Sequence, residues 1–485
     1  MKNTFTRILA IVLCLAMIFV CAAGCGKKDT ESKPDSESTN AGVTETKVSK
    51  EFLDSLKGMT VTIAYPDKWR VAGTNPIDDE WAMNVNEVAK ELGITITEKY
   101  LTNKANGNTF ITESLSGNNA GNILGVHGGA LFRGVQSKAW TPLTNAVKEV
   151  GINLDNKYYS KYMNMFNEID NELYGITFSG CNYADFTALY YNVNMVTVDN
   201  KLEDPLDLYN KGQWTFDKFE EYCKKLMKKD SSGKITTYGC QLVANVSLAE
   251  FINANGGAIG RIDESGMWYQ SMAEPATVKA LDYMYKWLYR DPCVFIPSGA
   301  WGTAYINLYE GTTAMVLGSY YCATNSYMKL TDEGGLGMVP MPQGPDGTKE
   351  DLFKLSGGSA YVVPTAYAKD AAKYAYILDR MAAKWYDRFE AVYAKQMAAI
   401  FYEDKYYDLF MKMTDDTLTS GFQEDYGSLV SDSTGYSVTH LCLAMQKGVA
   451  PSTAVGQFAT PMQNEQNDQQ GSTRYTGLAK LIHGK

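Results

Sequence analysis

The chain has 485 residues, 45% of them hydrophobic and 21% charged, with a formal net charge of −10 and only three histidines. That length supports two or more domains, and an acidic balance without a basic stripe argues against nucleic acid as a partner. His127, His440 and His483 form no pair at metal-ligand spacing, so no zinc site is expected, and no cofactor is expected either.

Lys2 and Arg7 precede the apolar run ILAIVLCLAMIFV. This run has the length of a signal-peptide core and is short for a membrane span, which needs about 20 apolar residues. Ala22, Ala23 and Gly24 then lead to Cys25, and AAGC resembles the bacterial lipoprotein box. The resemblance implies that residues 1–24 are removed and that Cys25 carries acyl chains such as palmitate. Each buried methylene contributes about 0.8 kcal/mol, so two or more chains hold a protein durably on a membrane. The competing readings are an uncleaved helical anchor and a plain secretory signal. Residues 25–50 have almost no large apolar side chain and read as a flexible linker.

Cys14 and Cys21 lie in the leader; beyond Cys25 come Cys181, Cys223, Cys240, Cys293, Cys322 and Cys442, with no CxxC. An even count in an exported chain permits disulfides, but a domain this large does not need them. Buried free thiols are the favoured expectation.

From Met59 the pattern alternates. MTVTIAY reads as a strand, DDEWAMNVNEVAKELG as a helix with Trp81, Val85, Val88 and Leu92 on one face, ITITEKY as a strand, TFITESLSG as a short helix and NILGVHGG as a buried strand. The two strands of such a β-α-β unit should be parallel. Two β-rich runs flank Cys181–Asp185, and WTFDKFEEYCKKLMKK reads as a helix capped by Thr215. A hairpin turning near Glu264–Gly266 precedes a helix from about Glu274, with Val278, Leu281, Tyr285 and Leu288 on its stripe. GTTAMVLGSYYCA and GLGMVPMPQGPDG each contain a strand, and GGSAYVVPTAYAKDAAKYAYILDRMA is a strand followed by a long helix. The last hundred residues read as mainly helical. Trp81, Trp214, Trp287 and Trp385 fall in helical patterns or at helix starts and are expected in the core.

The order of WTFDKFEEYCKKL, GGAIGRIDESGMWYQ, GTTAMVLGSYYCA, GLGMVPMPQGPDG and GGSAYVVPTAYAKDAAKYAYILDRMA, behind a lipoprotein signal, resembles extracellular solute-binding proteins of family 1. These are receptors of ABC importers for sugars and oligosaccharides. The resemblance covers about Met59–Lys485 and implies an α/β, two-lobed periplasmic-binding-protein-like fold of type II, with hinged lobes and a central ligand cleft. It places lobe one at about 55–172 plus 311–350 and lobe two at about 173–310 plus 351–485. Crossings are expected near Ile176–Phe178, Gly311 and Ser356–Ala360. It also implies a saccharide ligand, ABC permease subunits as partners, a lipid-anchored monomer on the outer face of the cytoplasmic membrane, and no enzymatic activity.

A sugar presents apolar C–H faces and a rim of hydroxyls, so its cleft wants aromatic platforms beside amides and carboxylates. Ligands of open α/β sheets sit beyond the carboxyl ends of strands. Strand ends select Tyr65, Trp69 and His127. The interruption after the first crossing selects Asn182, Tyr183 and Asp185, a glycine-flanked loop selects Trp301, and the last crossing selects Ser359. Tyr320 and Tyr321 match the position where the family commonly lays an aromatic under a sugar ring. Two other classes remain open. A lipid-anchored glycoside hydrolase would need a carboxylate pair, for which Asn167–Asp170 and Tyr183–Asp185 are the places to look. The same fold could instead bind a peptide, a polyamine or a glycerophosphodiester.

Overall fold

The computed structural model describes residues 48–66, 71–73, 76–101, 108–179, 187–298, 302–319, 335–349, 352, 354–355, 359–397, 400–414, 421–422 and 437–484. All lie within the unit Thr46–Lys485. After α1 (Lys50–Leu56) come β1 (Thr60–Tyr65), α2 (Pro76–Leu92), β2 (Thr95–Tyr100), α3 (Asn108–Leu115) and β3 (Ile123–His127). The sequence explains this run. In α2, Pro76 opens the helix and Asp78 and Asp79 fill its first turn, while Trp81, Val85, Val88 and Leu92 are buried. Gly93 ends it at φ +64°, a backbone setting that glycine adopts without a Cβ penalty. β1 pairs in parallel with both β2 and β3, as a helix crossover requires. Next come α4 (Gly128–Gln136), α5 (Thr144–Val150), α6 (Lys161–Phe166) and a hairpin of β4 (Glu168–Ile169) and β5 (Glu172–Leu173).

The following stretch builds a second sheet. It comprises β6 (Thr187–Asn192), α7 (Pro205–Asn210), α8 (Phe216–Leu226), β7 (Lys228–Lys229), β8 (Ile235–Gln241) and α9 (Ala244–Ala254). Then come the hairpin β9 (Gly260–Ile262) and β10 (Trp268–Gln270), α10 (Pro275–Tyr285), β11 (Val294–Phe295), α11 (Thr303–Tyr309), β12 (Thr313–Ser319) and β13 (Leu336–Val339). Thr215 caps α8 by accepting from the Lys218 N–H at 3.3 Å, a contact worth about 1 kcal/mol. Phe216, Phe219, Cys223 and Leu226 are buried along its inner face. Val278 is only half-buried, so the inner stripe of α10 runs instead through Thr277, Ala280, Leu281, Met284 and Tyr285. The chain closes with β14 (Lys354–Leu355), β15 (Ser359–Val362), α12 (Ala371–Met397), α13 (Asp404–Thr414), β16 (Gly421–Phe422), α14 (Val438–Gln446), α15 (Pro451–Gln470) and α16 (Thr476–His483).

Two sheets organise these elements, in the orders β15-β3-β1-β2 and β11-β8-β12-β6-β13. Their membership corrects the expected division of the chain. β12 and β13, in the 311–350 segment, both pair antiparallel with β6 in the second sheet. β15, in the 351–485 segment, pairs antiparallel with β3 in the first. Gly311 is therefore no crossing; it is a φ +72° turn between α11 and β12. The physical reason is register: Met315–Ser319 match Tyr191–Thr187 residue for residue, burying an apolar strand between β8 and β6. An antiparallel strand on the edge of a parallel sheet, as β15 is, is a common arrangement. α12 packs on α2 and α5, beside the first sheet.

Trp81, Trp214, Trp287 and Trp385 are all buried. So are the thiols of Cys223, Cys240, Cys293 and Cys442, each free. Burial drives the Cys223 thiol well above its ordinary pKa and Cys442 to about 12, so neither is a thiolate near neutrality. No described helix is long and apolar enough to cross a membrane.

Candidate functional site

β1, β2 and β3 end at Tyr65, Tyr100 and His127, and antiparallel β15 begins at Ser359 directly opposite His127. These four residues share the carboxyl edge of the first sheet, where ligands of α/β sheets bind. They do not share a role. Tyr65 is 1% exposed; its ring stacks on Tyr100 at 5.4 Å and 14°, and its hydroxyl donates to Glu98 at 3.0 Å. The indole of Trp81 donates to the same carboxylate at 2.9 Å. Tyr65 is thus a core residue and not the open platform expected of it. The parallel register that sets Tyr65 against Tyr100 also brings Glu98 into reach of its hydroxyl.

His127 is half-buried and sits at the N-cap of α4 without capping it. A ring nitrogen, Nδ1, is 3.2 Å from Ser359 Oγ, so the two residues selected from separate segments meet across β3 and β15. Because α4 starts at Gly128, the unsatisfied N–H groups of its first turn belong to this edge as well. Arg133 folds back along the helix: its guanidinium lies 3.4 Å from where a Gly129 Cβ would stand, and burial lowers its pKa. Behind Ser359, its carbonyl accepts from Thr177 Oγ1 at 3.0 Å.

Trp69, Asn182, Tyr183, Asp185, Trp301, Tyr320, Tyr321 and the Cys25 tether lie outside the described residues. Of the described residues nearest them in sequence, Ser319 pairs with Thr187 in the second sheet. Sequence reasoning missed Asn164, Asn167 and Thr177, which hold the strand behind Ser359. No local pattern marks them, because their partners come from distant segments.

The carboxylates in Asn167–Asp170 are held by other parts of the fold. Glu168 pairs with Lys480, and Asp170 Oδ1 accepts the Arg474 N–H at 3.0 Å. Among the described residues no cluster of His, Cys, Asp and Glu is arranged to hold a metal ion. An open depression of about 440 Å³ lies between α5, α6 and the β4–β5 hairpin; none of the candidate ligand residues lines it.

No protein-family model and no curated protein matches the chain. Solved structures do. A Mycobacterium tuberculosis UgpB structure in complex with glycerophosphocholine aligns at TM-score 0.61 and 14% identity, covering 84% of this chain and 98% of that one. The maltose/maltodextrin-binding domain MalE of Bdellovibrio bacteriovorus, bound to maltotriose, aligns at 0.56 and 16%, covering 85% and 99%. An ABC-transporter solute-binding protein of Thermotoga lettingae, bound with α-D-tagatose, aligns at 0.57 and 15%, covering 84% and 100%. The chain therefore has the two-lobed, periplasmic-binding-protein-like α/β fold of these proteins over nearly all of their length.

Proposed function

We propose that this protein is an extracytoplasmic receptor that captures a saccharide, in the first instance an oligosaccharide, between its two lobes and delivers it to an ABC importer. The observation that carries the proposal is the end-to-end fold likeness to solute-binding proteins, several of them bound to saccharides. The lipoprotein-like AAGC at Cys25 supports a lipid tether to the outer face of the membrane. The receptor acts as a monomer and makes no covalent change in its ligand; nucleotide hydrolysis belongs to the importer.

The lobes follow the sheets. Lobe one takes residues of about 48–179, 359–397 and 472–484, and lobe two about 187–355 and 400–470. His127 and Ser359 offer ligand hydroxyls hydrogen-bond partners from lobe one. Trp69, Asn182, Tyr183, Asp185, Trp301, Tyr320 and Tyr321 supply the remaining aromatic and polar contacts. Closure around the ligand couples affinity to shape.

A thermal-shift screen of the full-length chain tests this. The panel contains mono- and oligosaccharides, with glycerophosphodiesters, peptides and polyamines beside them. A ligand at 100 times its dissociation constant adds about 2.7 kcal/mol to stability, a clear rise in midpoint. A saccharide-selective rise is expected. A rise confined to glycerophosphodiesters, peptides or polyamines would keep the receptor and replace its cargo, and consumption of the sugar would restore the hydrolase reading.

A further inference from the structure

The chain passes from the first sheet to the second ahead of β6, which starts at Thr187, and after β13 it returns to the first sheet at β15, which starts at Ser359. Just before and just after these passages, the two strands run side by side. Ile176 and Tyr361 exchange backbone hydrogen bonds at 3.0 and 2.9 Å. At Gly175 the strands approach so closely that a Cβ would stand 2.7 Å from that of Ala360.

A buried polar network locks this pair. Asn164 grips the backbone of Thr177 from both sides: its Oδ1 accepts the Thr177 N–H at 2.9 Å, and its Nδ2 donates to the Thr177 carbonyl at 3.1 Å. Asn167 Nδ2 donates to Thr177 Oγ1 at 2.9 Å and to the Gly175 carbonyl at 3.2 Å. Thr177 Oγ1 in turn donates to the Ser359 carbonyl at 3.0 Å, and Ser359 Oγ meets His127 Nδ1. Asn164, Asn167, Thr177 and Ser359 are all buried. One continuous chain of hydrogen bonds thus runs from α6 through both strands to the carboxyl edge of β3. Every donor of this network is used and only Asn167 Oδ1 is left without a partner; linked hydrogen bonds of this kind in a buried setting favour one arrangement.

We propose that Asn164, Asn167 and Thr177 are positioning residues that clamp the two crossing strands together and so set the pivot about which the lobes close. This rests on the receptor reading only in that a receptor of this fold must close. Hinges are a few residues that absorb a large backbone change, and they can do so reproducibly only if the strands feeding them are fixed. With Thr177 Oγ1 removed, the first strand no longer holds the second through this bond. The pivot softens, and His127 is no longer tied to it through Ser359.

The test is single-molecule energy transfer on the full-length chain, with dyes placed through non-canonical residues at exposed Lys57 and Lys229, beside the first and second sheets. Thr177→Val, close in shape, is compared with wild type without ligand and with any saccharide found in the screen. The expected result is a broader inter-dye distribution and a closed-state population changed roughly fivefold or more. Asn164→Ala, which releases the backbone grip instead, should act in the same direction if Thr177→Val folds poorly. Val88→Ala, in the core of α2, is the control that lowers stability alone. Distributions and affinities in both network variants equal to wild type, with only a fall in melting temperature as in Val88→Ala, would overturn the proposal. Absence of any saccharide response in wild type would count against the receptor reading, while the ligand-free distributions would still decide the pivot.

Discussion

Glu220 shows how one residue of this fold responds to pH. It lies on α8 with its carboxylate accepting from Lys224 Nζ at 2.7 Å, Lys286 Nζ at 2.8 Å and the Trp287 indole at 2.9 Å. Burial pushes its pKa up, but these hydrogen bonds and the Lys286 charge outweigh it and bring the value down to about 2. A carboxyl depressed on folding contributes stability above its ordinary pKa of 4.5 and loses it as pH falls toward about 2. Glu220→Gln should therefore unfold at lower urea near neutral pH, by about 1.5–3 kcal/mol. The gap from wild type should close between about pH 4.5 and pH 2. A gap that stays constant through that window would show that shape, and not charge, carries the contribution. Only the Lys224 pairing, four residues along the same helix, is legible locally; Lys286 and Trp287 come from more than sixty residues away. Tyr65 teaches the same lesson at the candidate site. Its place at a strand end was readable, but its partner Glu98 lies across a parallel pairing, and that pairing decides whether the ring meets ligand or core. His127 and Ser359 were readable as strand-edge residues; that they touch each other was not.

At the scale of elements, periodicity served well because each helix and strand writes its burial into its own sequence. The inner faces of α2 and α8 are the apolar residues expected of them, and β6 is buried on both faces like the continuous apolar run it is. Sheet membership is a different quantity. It depends on which distant strand supplies the hydrogen bonds, and so β12 and β13 join the second sheet and β15 the first, against the division expected from the sequence. Close layer approach is equally silent. At Gly239 on β8 an added Cβ would stand 2.0 Å from the Cys223 carbonyl oxygen of α8. Backbone cannot rotate away, so Gly239→Ala must push the helix off the sheet and should destabilise by about 1–3 kcal/mol or more. Gly456 in α15 meets nothing within 4 Å, and Gly456→Ala should instead stabilise by up to about 1 kcal/mol. Urea midpoints of the two variants should move in opposite directions; a matching rise would mean that propensity and not layer spacing governs Gly239.

For the molecule as a whole, the decisive segment is the last one. After α15 the chain returns to the helices of the first sheet, where Tyr475 is 1% exposed and stacks on Phe132 of α4 at 4.1 Å and on Phe166 of α6 at 6.0 Å. The same segment grips the β9–β10 hairpin: the Tyr475 N–H donates to the Gly266 carbonyl at 2.9 Å, and His483 Nε2 lies 2.9 Å from the Ile262 carbonyl. Lys480 closes the clasp on Glu168. One short stretch thus ties helices of the first sheet to a hairpin that belongs with the second. Truncating a buried aromatic costs about 3–5 kcal/mol, but Tyr475→Ala should do more than lower a midpoint. If the clasp makes the two halves unfold together, its loss should split calorimetric unfolding into two transitions, with the calorimetric enthalpy exceeding the van't Hoff enthalpy. The earlier transition should belong to the first-sheet half, which loses the Phe132 and Phe166 contacts outright. A single transition displaced to lower temperature would instead show that contacts other than the clasp keep the two halves unfolding together, because the first-sheet half would then stay coupled to the second after losing its Phe132 and Phe166 stacking.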